Sequence, residues 1–339
     1  MRPLLSVVVP AYDAEPYLAR ALDSLTGFGP EVEVLVVDDG STDGTAALAR
    51  GYVDRHPGGV RLLRKPNGGH GSAINAGLDH ARGTYVRVLD ADDWLDRDAL
   101  RALLDALRDA VADDREVDLL VTNVVYEKVG RRRATVVRFR GALPRGRVLT
   151  WDRTRPFAQR QYLMMHALTY RTAVLREVGL RLPEHTFYVD SLYALLPLHR
   201  VRTLQYLDVD LYRYLIGRPD QSVQEVVMLR RLDQQLRVNR LMLDHVSRTP
   251  VAQPRLERYL LHYTAIICAV SSVLLVRAGT PEALAERDLL WARLRAADPA
   301  LYRRVRWSAL GQLSNLPGRA GRRVSVLAYR VARRAIGFS

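Results

Sequence analysis

Four carboxylates follow a short apolar run in the stretch VRVLDADDWLD, residues 86–96. Asp90 and Asp92 flank Ala91, and hard oxygen ligands of this kind suit Mg²⁺ or Mn²⁺ that also contacts substrate phosphates. Capping and turn formation also produce acidic pairs, so the pair alone leaves both interpretations open. Asp93 and Asp96 are expected to cap and start the helix that follows.

A second acidic pair lies in VVDDGSTDGT, residues 36–45. Asp39, at the end of an apolar run, could accept a hydrogen bond from an N–H group of a ligand. Ser41 and Asp43 would then begin a helix. The alternative is an Asx turn followed by an ordinary helix N-cap.

Alternating strand and helix patterns position both acidic stretches over residues 1–120. Strands are predicted at 4–10, 32–39, 60–65 and 84–92, with helices at 15–26, 41–56 and 69–82. This alternation predicts right-handed βαβ units and an α/β fold with a mostly parallel sheet flanked by helices. Ligands of such sheets bind beyond the carboxyl ends of the strands, where both acidic stretches fall.

The pattern loosens after residue 120 and becomes helical near the C-terminus. Further strands are predicted at 117–129, 132–139 and 202–217, and helices near 158–166 and at 223–247, 255–277 and 281–297. These patterns predict a domain over residues 1–222, with halves 1–95 and 96–222, and a helical region over 223–339.

Charge is distributed unevenly along the 339 residues, whose formal net charge is +14. Residues 1–125 hold 13 Lys and Arg against 21 Asp and Glu, a net −8, while residues 126–339 hold 38 against 16, a net +22. Residues 301–339 contain nine arginines and no acid, which indicates an anionic partner such as phospholipid or nucleic acid.

Cys268 is the single cysteine, so a disulfide framework is excluded and a cytosolic location is favoured. We interpret the N-terminal apolar run as a strand, since it lacks the pattern of a signal peptide. Residues 259–276 carry no charge, and a buried helix or a membrane span fits them.

Residues 322–338 have the pattern of a basic amphipathic helix. At 100° per residue, one face carries Val324, Leu327, Ala328, Val331, Ala335 and Phe338, and arginines lie opposite at 322, 323, 330, 333 and 334. Such a helix can lie in a lipid interface, as a peripheral protein on the inner membrane face, or can pack on its own domain as an ordinary terminal helix.

Three stretches in order resemble family 2 glycosyltransferases with a GT-A fold. They are SVVVPAYDAEPYLARALDSL, VEVLVVDDGSTDGT and LLRKPNGGHGSAINAGLDHARGTYVRVLDADD. The resemblance is dense over about the first 95 residues and thinner to about 222. It implies an inverting enzyme that uses a nucleotide-sugar donor, expected to be a UDP-sugar, and a divalent cation, Mn²⁺ or Mg²⁺.

The resemblance also implies roles for individual residues. Asp39 would accept from the N3–H of the base, and Asp92 would ligate the cation. Asp90 would face the ribose or the metal shell, beside Ala91. The other donor-side residues that it implies are Pro10, Ala11, Tyr12, Lys65, Gly68 and Gly69. The family usually has Arg before the Asn of this motif, but here Ile74 precedes Asn75.

An inverting transfer needs a general base for the acceptor hydroxyl, and by position Asp190 takes this role, with Glu184 in reserve. The family usually has a Glu-Asp pair there, but here Val189 precedes the Asp. Arg218 would neutralise diphosphate charge, and Gln221 and Ser222 would donate hydrogen bonds, unless the segment is an ordinary strand-to-helix turn. His166 would meet an acceptor sugar or be a core histidine.

Other classes of protein fit the sequence less well. A Rossmann dehydrogenase would need glycines after the first strand, and a sugar nucleotidyltransferase a glycine- and lysine-rich phosphate loop. A polyanion- or membrane-binding protein without enzymatic activity is the remaining alternative. We expect a glycan, polymer or lipid-linked acceptor of the cell envelope, and no nucleic-acid partner, because an acidic N-terminal half suits DNA poorly.

Overall fold

The computed structural model describes residues 2–112, 117–130, 134–159, 161–217, 221 and 224–336. Contacts divide the chain into two compact units, Met1–Leu215 and Ile216–Ser339. The boundary predicted near residue 222 lies a few residues further along the chain.

The first unit is a three-layer α/β structure. Its strands are β1 (Leu5–Ala11), β2 (Val32–Asp38), β3 (Val60–Arg64), β4 (Tyr85–Val88), β5 (Trp94–Leu95), β6 (Leu119–Val121), β7 (Val124–Lys128), β8 (Thr135–Val137), β9 (Val148–Thr150), β10 (Leu168–Arg171), β11 (Thr203–Tyr206) and β12 (Tyr212–Ile216). Its helices are α1 (Glu15–Leu25), α2 (Thr45–Arg55), α3 (His70–His80), α4 (Arg97–Ala112), α5 (Thr172–Val178) and α6 (Asp190–Leu195).

Eight strands form the main sheet in the order β3-β2-β1-β4-β10-β6-β11-β9. The first four are mutually parallel, and β10 runs antiparallel to both of its neighbours. Every residue of β1 and β2 is buried, as expected for central parallel strands covered on both faces. This confirms the predicted α/β fold. A second sheet has the order β5-β12-β7-β8.

The structure corrects several predicted elements. The helix predicted near 158–166 is wrong, since among the described residues of that segment only a 3₁₀ turn begins, at Met165–Ala167. The single strand predicted at 202–217 is two strands, β11 and β12, which belong to different sheets. The helix predicted at 41–56 begins only at Thr45.

The second unit is helical, as predicted for the C-terminal region. Its helices are α7 (Glu225–Arg230), α8 (Leu232–Arg248), α9 (Pro254–Ala278), α10 (Pro281–Ala297), α11 (Pro299–Arg306), α12 (Ala309–Ser314) and α13 (Gly318–Ile336). The apolar core of this unit forms around α9 and includes Leu236, Cys268, Leu275, Trp291 and Leu301.

Helix α9 is long and apolar enough to cross a membrane by length and composition. However, 67% of its most apolar window is buried inside the unit. Core helices of globular domains also have this character, so the helix is accounted for by packing alone.

Candidate active site at the strand ends

The carboxyl ends of β1, β2 and β4 meet at one edge of the main sheet because these strands are parallel and adjacent. The chain leaves this edge through ordered turns. The Asp39 N–H donates to the Ala11 carbonyl, and the Leu89 N–H donates to the Val8 carbonyl, both at 2.9 Å. The two acidic stretches predicted from the sequence are therefore neighbours at this edge.

Asp38 ends β2 in a fully buried position. Its carboxylate accepts from the Ser41 N–H and from Arg64 Nε, both at 2.9 Å. Burial by itself raises the pKa of Asp38, but the hydrogen bonds from Ser41 and the Arg64 guanidinium outweigh it and leave that pKa below its usual value. Asp38 therefore stabilises the turn in its charged form.

Asp39 fixes the glycine loop that precedes α3. Its carboxylate accepts from Lys65 Nζ at 2.6 Å, from the Gly68 N–H at 3.1 Å and from the Gly69 N–H at 2.7 Å. Gly69 has φ +85°, and a Cβ there would lie 3.1 Å from the His185 backbone nitrogen. The close approach and the positive φ both require glycine at this position.

The loops that follow β1 and β2 are hydrogen-bonded to each other. Thr42 N–H donates to the Asp13 carboxylate at 2.8 Å, and Ala14 N–H donates to Thr45 Oγ1 at 2.8 Å. Asp43 lies two residues before α2, where it accepts from the Glu15 N–H at 3.1 Å and from the N–H of Thr45, the first residue of the helix, at 2.9 Å. Beside these loops Pro10 and Ala11 are buried at the end of β1, and Tyr12 is 53% exposed, so its ring is available to a ligand.

Asp90, just beyond β4, lies between two histidines. His70 Nε2 is 2.8 Å from Asp90 Oδ1, and His166 Nε2 is 3.4 Å from Asp90 Oδ2. Burial raises the pKa of Asp90, but His70 and His166 lower it by a larger amount, so this pKa lies far below its ordinary value. Burial lowers the pKa of His70, and Asp90 outweighs this and raises it. Asp90 is thus ionised and lies between two imidazole rings.

Two aromatic rings and a buried arginine contact His166, which is itself buried. Its ring stacks on Tyr214 with centroids 4.7 Å apart and meets Tyr212 edge-on at 4.9 Å. Arg87 Nη2 donates to the His166 carbonyl at 2.6 Å, and burial lowers the pKa of Arg87 to about 10. His166, expected on the acceptor side, is therefore fixed against Asp90.

Asp93 does not start a helix, contrary to the sequence-based expectation. It is fully buried and accepts from the Tyr212 hydroxyl at 2.7 Å and from the Leu215 N–H at 2.8 Å. Burial and the charges of Asp92 and Asp90 raise its pKa well above the ordinary value. Asp96 alone caps α4, accepting from the Ala99 N–H at 3.1 Å.

Asp90, Asp93 and His166 form a cluster that could hold a metal ion, since one ligand atom from each lies within 4.8 Å of the others. Buried His166 Nδ1 makes no hydrogen bond within the described part of the chain. Asp93 suits an ion least, because both of its oxygens already accept hydrogen bonds. Asp92, the ligand implied by resemblance, is half-buried and close enough to raise the pKa of Asp93.

Asp190 is the first residue of α6, as its predicted role requires. Burial raises its pKa, and Asp90 adds to this while His166 and His70 oppose it, so the pKa lies above the ordinary carboxyl value. These mutual effects place Asp190 in the same electrostatic environment as Asp90. A carboxyl group with a raised pKa in such a site is a candidate general base.

The segment before Asp190 is fixed on the N-terminal part of α3. Asn75 donates to the Leu182 carbonyl at 2.8 Å and accepts from the Leu182 N–H at 2.9 Å. Glu184, the reserve base, accepts from Ser72 Oγ at 2.8 Å. Ile74 is fully buried in the core, so the position where the family usually has Arg serves packing here.

The last predicted donor-side segment is described only in part. Arg218 and Ser222 lie outside the described residues. Gln221 is buried in the second unit, and its side-chain oxygen accepts from the Gly217 N–H at 2.8 Å.

Sequence reasoning missed the tyrosines and the arginine that shape this site. Tyr212 Oη accepts from the Asp90 N–H at 3.2 Å and donates to Asp93, although it is more than a hundred residues away in sequence. Arg87 could have been noticed as a charged residue inside an otherwise apolar strand, where an unpaired cation is costly.

Comparisons with known proteins find similarity to one class of enzyme. The family model described as glycosyl transferase family 2 matches residues 6–171. Over 103 residues, 30% of this chain, the sequence is 41% identical to a chondroitin synthase from Pasteurella multocida. The match covers only 11% of the length of that protein.

Two solved structures share the fold. S. aureus TarS, residues 1–349 in complex with UDP-GlcNAc, aligns with a TM-score of 0.69 and 21% identity over 99% of this chain and 91% of that one. The mannosyltransferase PcManGT from Pyrobaculum calidifontis, in complex with GDP-Man and Mn²⁺, aligns with a TM-score of 0.56 and 20% identity over 99% and 87%. The fold is therefore of the GT-A type.

Proposed function

This chain belongs to glycosyl transferase family 2, and on that premise we propose that it transfers a sugar from a nucleoside-diphosphate donor to a hydroxyl acceptor with inversion. The observation that carries the proposal is the position of Asp190 at the start of α6, where burial and Asp90 raise its pKa and His166 and His70 lower it. One site thus combines a candidate base with charged groups suited to a diphosphate.

The proposed reaction is a single displacement at the anomeric carbon. Asp190 accepts the proton of the acceptor hydroxyl while that oxygen forms the new bond to the sugar. The bond from the anomeric carbon to the diphosphate oxygen breaks on the opposite face, and both electrons leave with the diphosphate. No covalent bond between sugar and enzyme forms, and the configuration at this carbon inverts.

A divalent cation, Mn²⁺ or Mg²⁺, would be held by Asp92 and Asp90, with His166 completing the set. The residues fit such an ion, because carboxylate oxygens and an imidazole suit Mn²⁺, and because negative charge is crowded at Asp90, Asp92 and Asp93. When bound, the cation supplies a Lewis acid that stabilises the negative charge on the leaving diphosphate.

The nucleotide is proposed to lie at the ends of β1 and β2, with the exposed ring of Tyr12 against its base. Asp39 supports this site by ordering the Gly68–Gly69 loop, and small residues there allow close approach of a ligand. A uracil base is proposed because the TarS structure contains UDP-GlcNAc. A thymine base would present to Asp39 the same N3–H group as uracil, so a dTDP-sugar is the alternative donor.

The acceptor is proposed to be a glycan, polymer or lipid-linked precursor of the cell envelope. The chondroitin synthase similarity supports a glycan acceptor. This part of the proposal depends on the match to only a small part of that protein.

A donor screen tests the proposed function. The purified chain is incubated with UDP-, GDP- and dTDP-sugars, with Mn²⁺, with Mg²⁺ or with a chelator, and release of the nucleoside diphosphate is measured. We expect release from one class of donor, dependent on metal and lost in Asp190→Asn. Release at the same rate with the chelator would contradict metal dependence, and no release from any donor, with or without glycan acceptors, would contradict the proposed transfer.

A further inference from the structure

Helix α13 exposes the apolar face that an ordinary terminal helix would bury. Val324 is 49%, Leu327 62% and Val331 52% exposed. The helix packs on the second unit through its other side, where Ser325 is buried and its hydroxyl donates to the Leu313 carbonyl at 2.6 Å. A soluble helix usually turns its apolar stripe inward, so this orientation leaves the stripe for another partner.

Positive charge borders this apolar face. At 100° per residue Arg323 and Arg330 lie beside Leu327, at one edge of the apolar arc and not opposite it as expected from the sequence, and both are exposed. Residues 301–339 contain nine arginines and no acid. A second copy of this chain would bring an equal positive charge to the same interface, which disfavours self-association through this face.

An open cleft of about 520 Å³ lies in the same unit, lined by Trp291, Arg295, Tyr302, Arg306, Asn315 and also by the acidic Asp288. Arg287, a nearby partly buried residue, donates to the side-chain oxygen of Asn315 in this cleft at 3.1 Å. Burial lowers the pKa of Arg287, Asp288 raises it, and Arg322 and Arg306 lower it further. Arg322 of α13 is therefore near this cleft, on the side of the helix opposite Val331.

We propose that the exposed face of α13 docks the protein on an anionic lipid surface. Leu327, Val324 and Val331 contact the boundary between headgroups and acyl chains, and Arg323 and Arg330 contact lipid phosphates. Nucleic acid would use the charge but would leave the apolar residues in water, so a lipid surface accounts for both features.

Vesicle sedimentation tests this docking without any need for enzymatic activity, so its result is separate from that of the donor screen. The full chain is mixed with phosphatidylcholine vesicles with and without phosphatidylglycerol, at low and high salt. We expect sedimentation with the anionic vesicles at low salt. The double variant Leu327→Asp/Val331→Asp should lose about tenfold or more in affinity.

Two matched controls accompany the variants. Val226→Asp alters a residue of α7 that is also 62% exposed and should bind vesicles as the wild type does. Arg323→Gln/Arg330→Gln should weaken binding about 30-fold at low salt, whereas Arg50→Gln/Arg140→Gln, at exposed positions of the first unit, should have a much smaller effect. Circular dichroism checks that each variant is folded.

Three results would overturn the proposal. The wild type could remain in the supernatant with anionic vesicles at low salt. The Leu327→Asp/Val331→Asp variant could bind vesicles as well as the wild type does. Finally, sedimentation velocity could show that this variant separates a dimer into monomers while neither form binds vesicles, which would assign the face to a second copy.

Discussion

The two acidic strand ends of the first unit differ in their partners, although both place carboxylates at the same edge of the sheet. At the end of β2, Asp38 and Asp39 are paired with Arg64 and Lys65 and accept backbone N–H groups. At the end of β4, Asp90 has two histidines as its partners. The partners at the first end are cations and backbone amides, whereas the partners at the second end are imidazoles, which can also ligate a metal ion.

We interpret the β2 end as structural support for the site and the β4 end as the place of the chemical step. Permanent cations and backbone amides hold the β2 carboxylates in one state and order the loops around them. At the β4 end burial raises the pKa of Asp190 while His166 and His70 lower it, so the candidate base shares the electrostatic environment of these histidines. We therefore expect substitutions at the β4 end to affect the transfer step, substitution of Asp38 to affect stability, and substitution of Asp39 to affect the order of the loop that supports the proposed nucleotide site.

The largest effect is expected for Asp190→Asn. The amide cannot accept the proton of the acceptor, so the transfer rate should fall by about 10² to 10⁴. Nucleotide affinity, measured by calorimetry, should remain close to that of the wild type. A variant with normal transfer would show that another group is the base, and Glu184→Gln is the matched control because Glu184 pairs with Ser72.

The pH dependence of the transfer rate should also be set by Asp190. Asp190 must be ionised to act as a base, and its pKa is raised above the ordinary carboxyl value by burial and by Asp90. The rate should therefore fall as the pH drops through this raised pKa, at a pH above that expected for an exposed carboxyl group. An acid limb near pH 4, the ordinary pKa of an exposed aspartate, would contradict this assignment.

Metal affinity should distinguish Asp92 from Asp93. Asp92→Asn removes a proposed ligand and should weaken Mn²⁺ binding about 10- to 100-fold, as measured by titration calorimetry with the nucleotide present. Asp93→Asn should leave this affinity within about threefold, because the Asp93 oxygens already accept hydrogen bonds from Tyr212 and Leu215. The opposite order would identify Asp93 as the ligand.

The smallest effect is expected at the β2 end. Asp38→Asn keeps an acceptor for Ser41 but loses the charge that pairs with half-exposed Arg64, and should lower the free energy of unfolding by about 1 kcal/mol. Because the pKa of Asp38 is lowered in the folded state, this stabilisation is full at neutral pH and is lost as the pH falls below about 4.

Urea unfolding at pH 7 and pH 3 measures this difference. Asp98→Asn is the control, since the Asp98 side chain is 90% exposed and its loss should change the unfolding free energy very little. An Asp38→Asn variant as stable as the wild type at pH 7, or one that loses donor turnover, would contradict the separation of the two strand ends.

Local patterns predicted much of this molecule. The first four strands and their helices follow from alternation of buried runs and helical spacing, and the helix at 281–297 has the predicted bounds. The false helix near 158–166 shows the limit of such patterns. There the apolar residues are buried by tertiary contacts, as Met164 is against the Tyr126 hydroxyl, and not by a helical face.

The site likewise contains residues that the sequence predicts and residues that only the folded structure identifies. Asp90 is predicted because a strand end is a local feature, and Asp190 is predicted by its position in the resemblance to family 2 glycosyltransferases. The roles of Asp93 and His166 depend on Tyr212 and Tyr214, which come from a distant strand in another sheet. No spacing rule links such positions, since only the folded chain brings them together.

The most direct test of the central claim is the anomer that the enzyme releases first. With water as the acceptor, ¹H NMR follows the sugar formed from a nucleotide sugar of known α configuration, before mutarotation mixes the anomers. A single displacement assisted by Asp190 predicts that the β anomer appears first. Initial release of the α anomer would contradict inversion and the role assigned to Asp190.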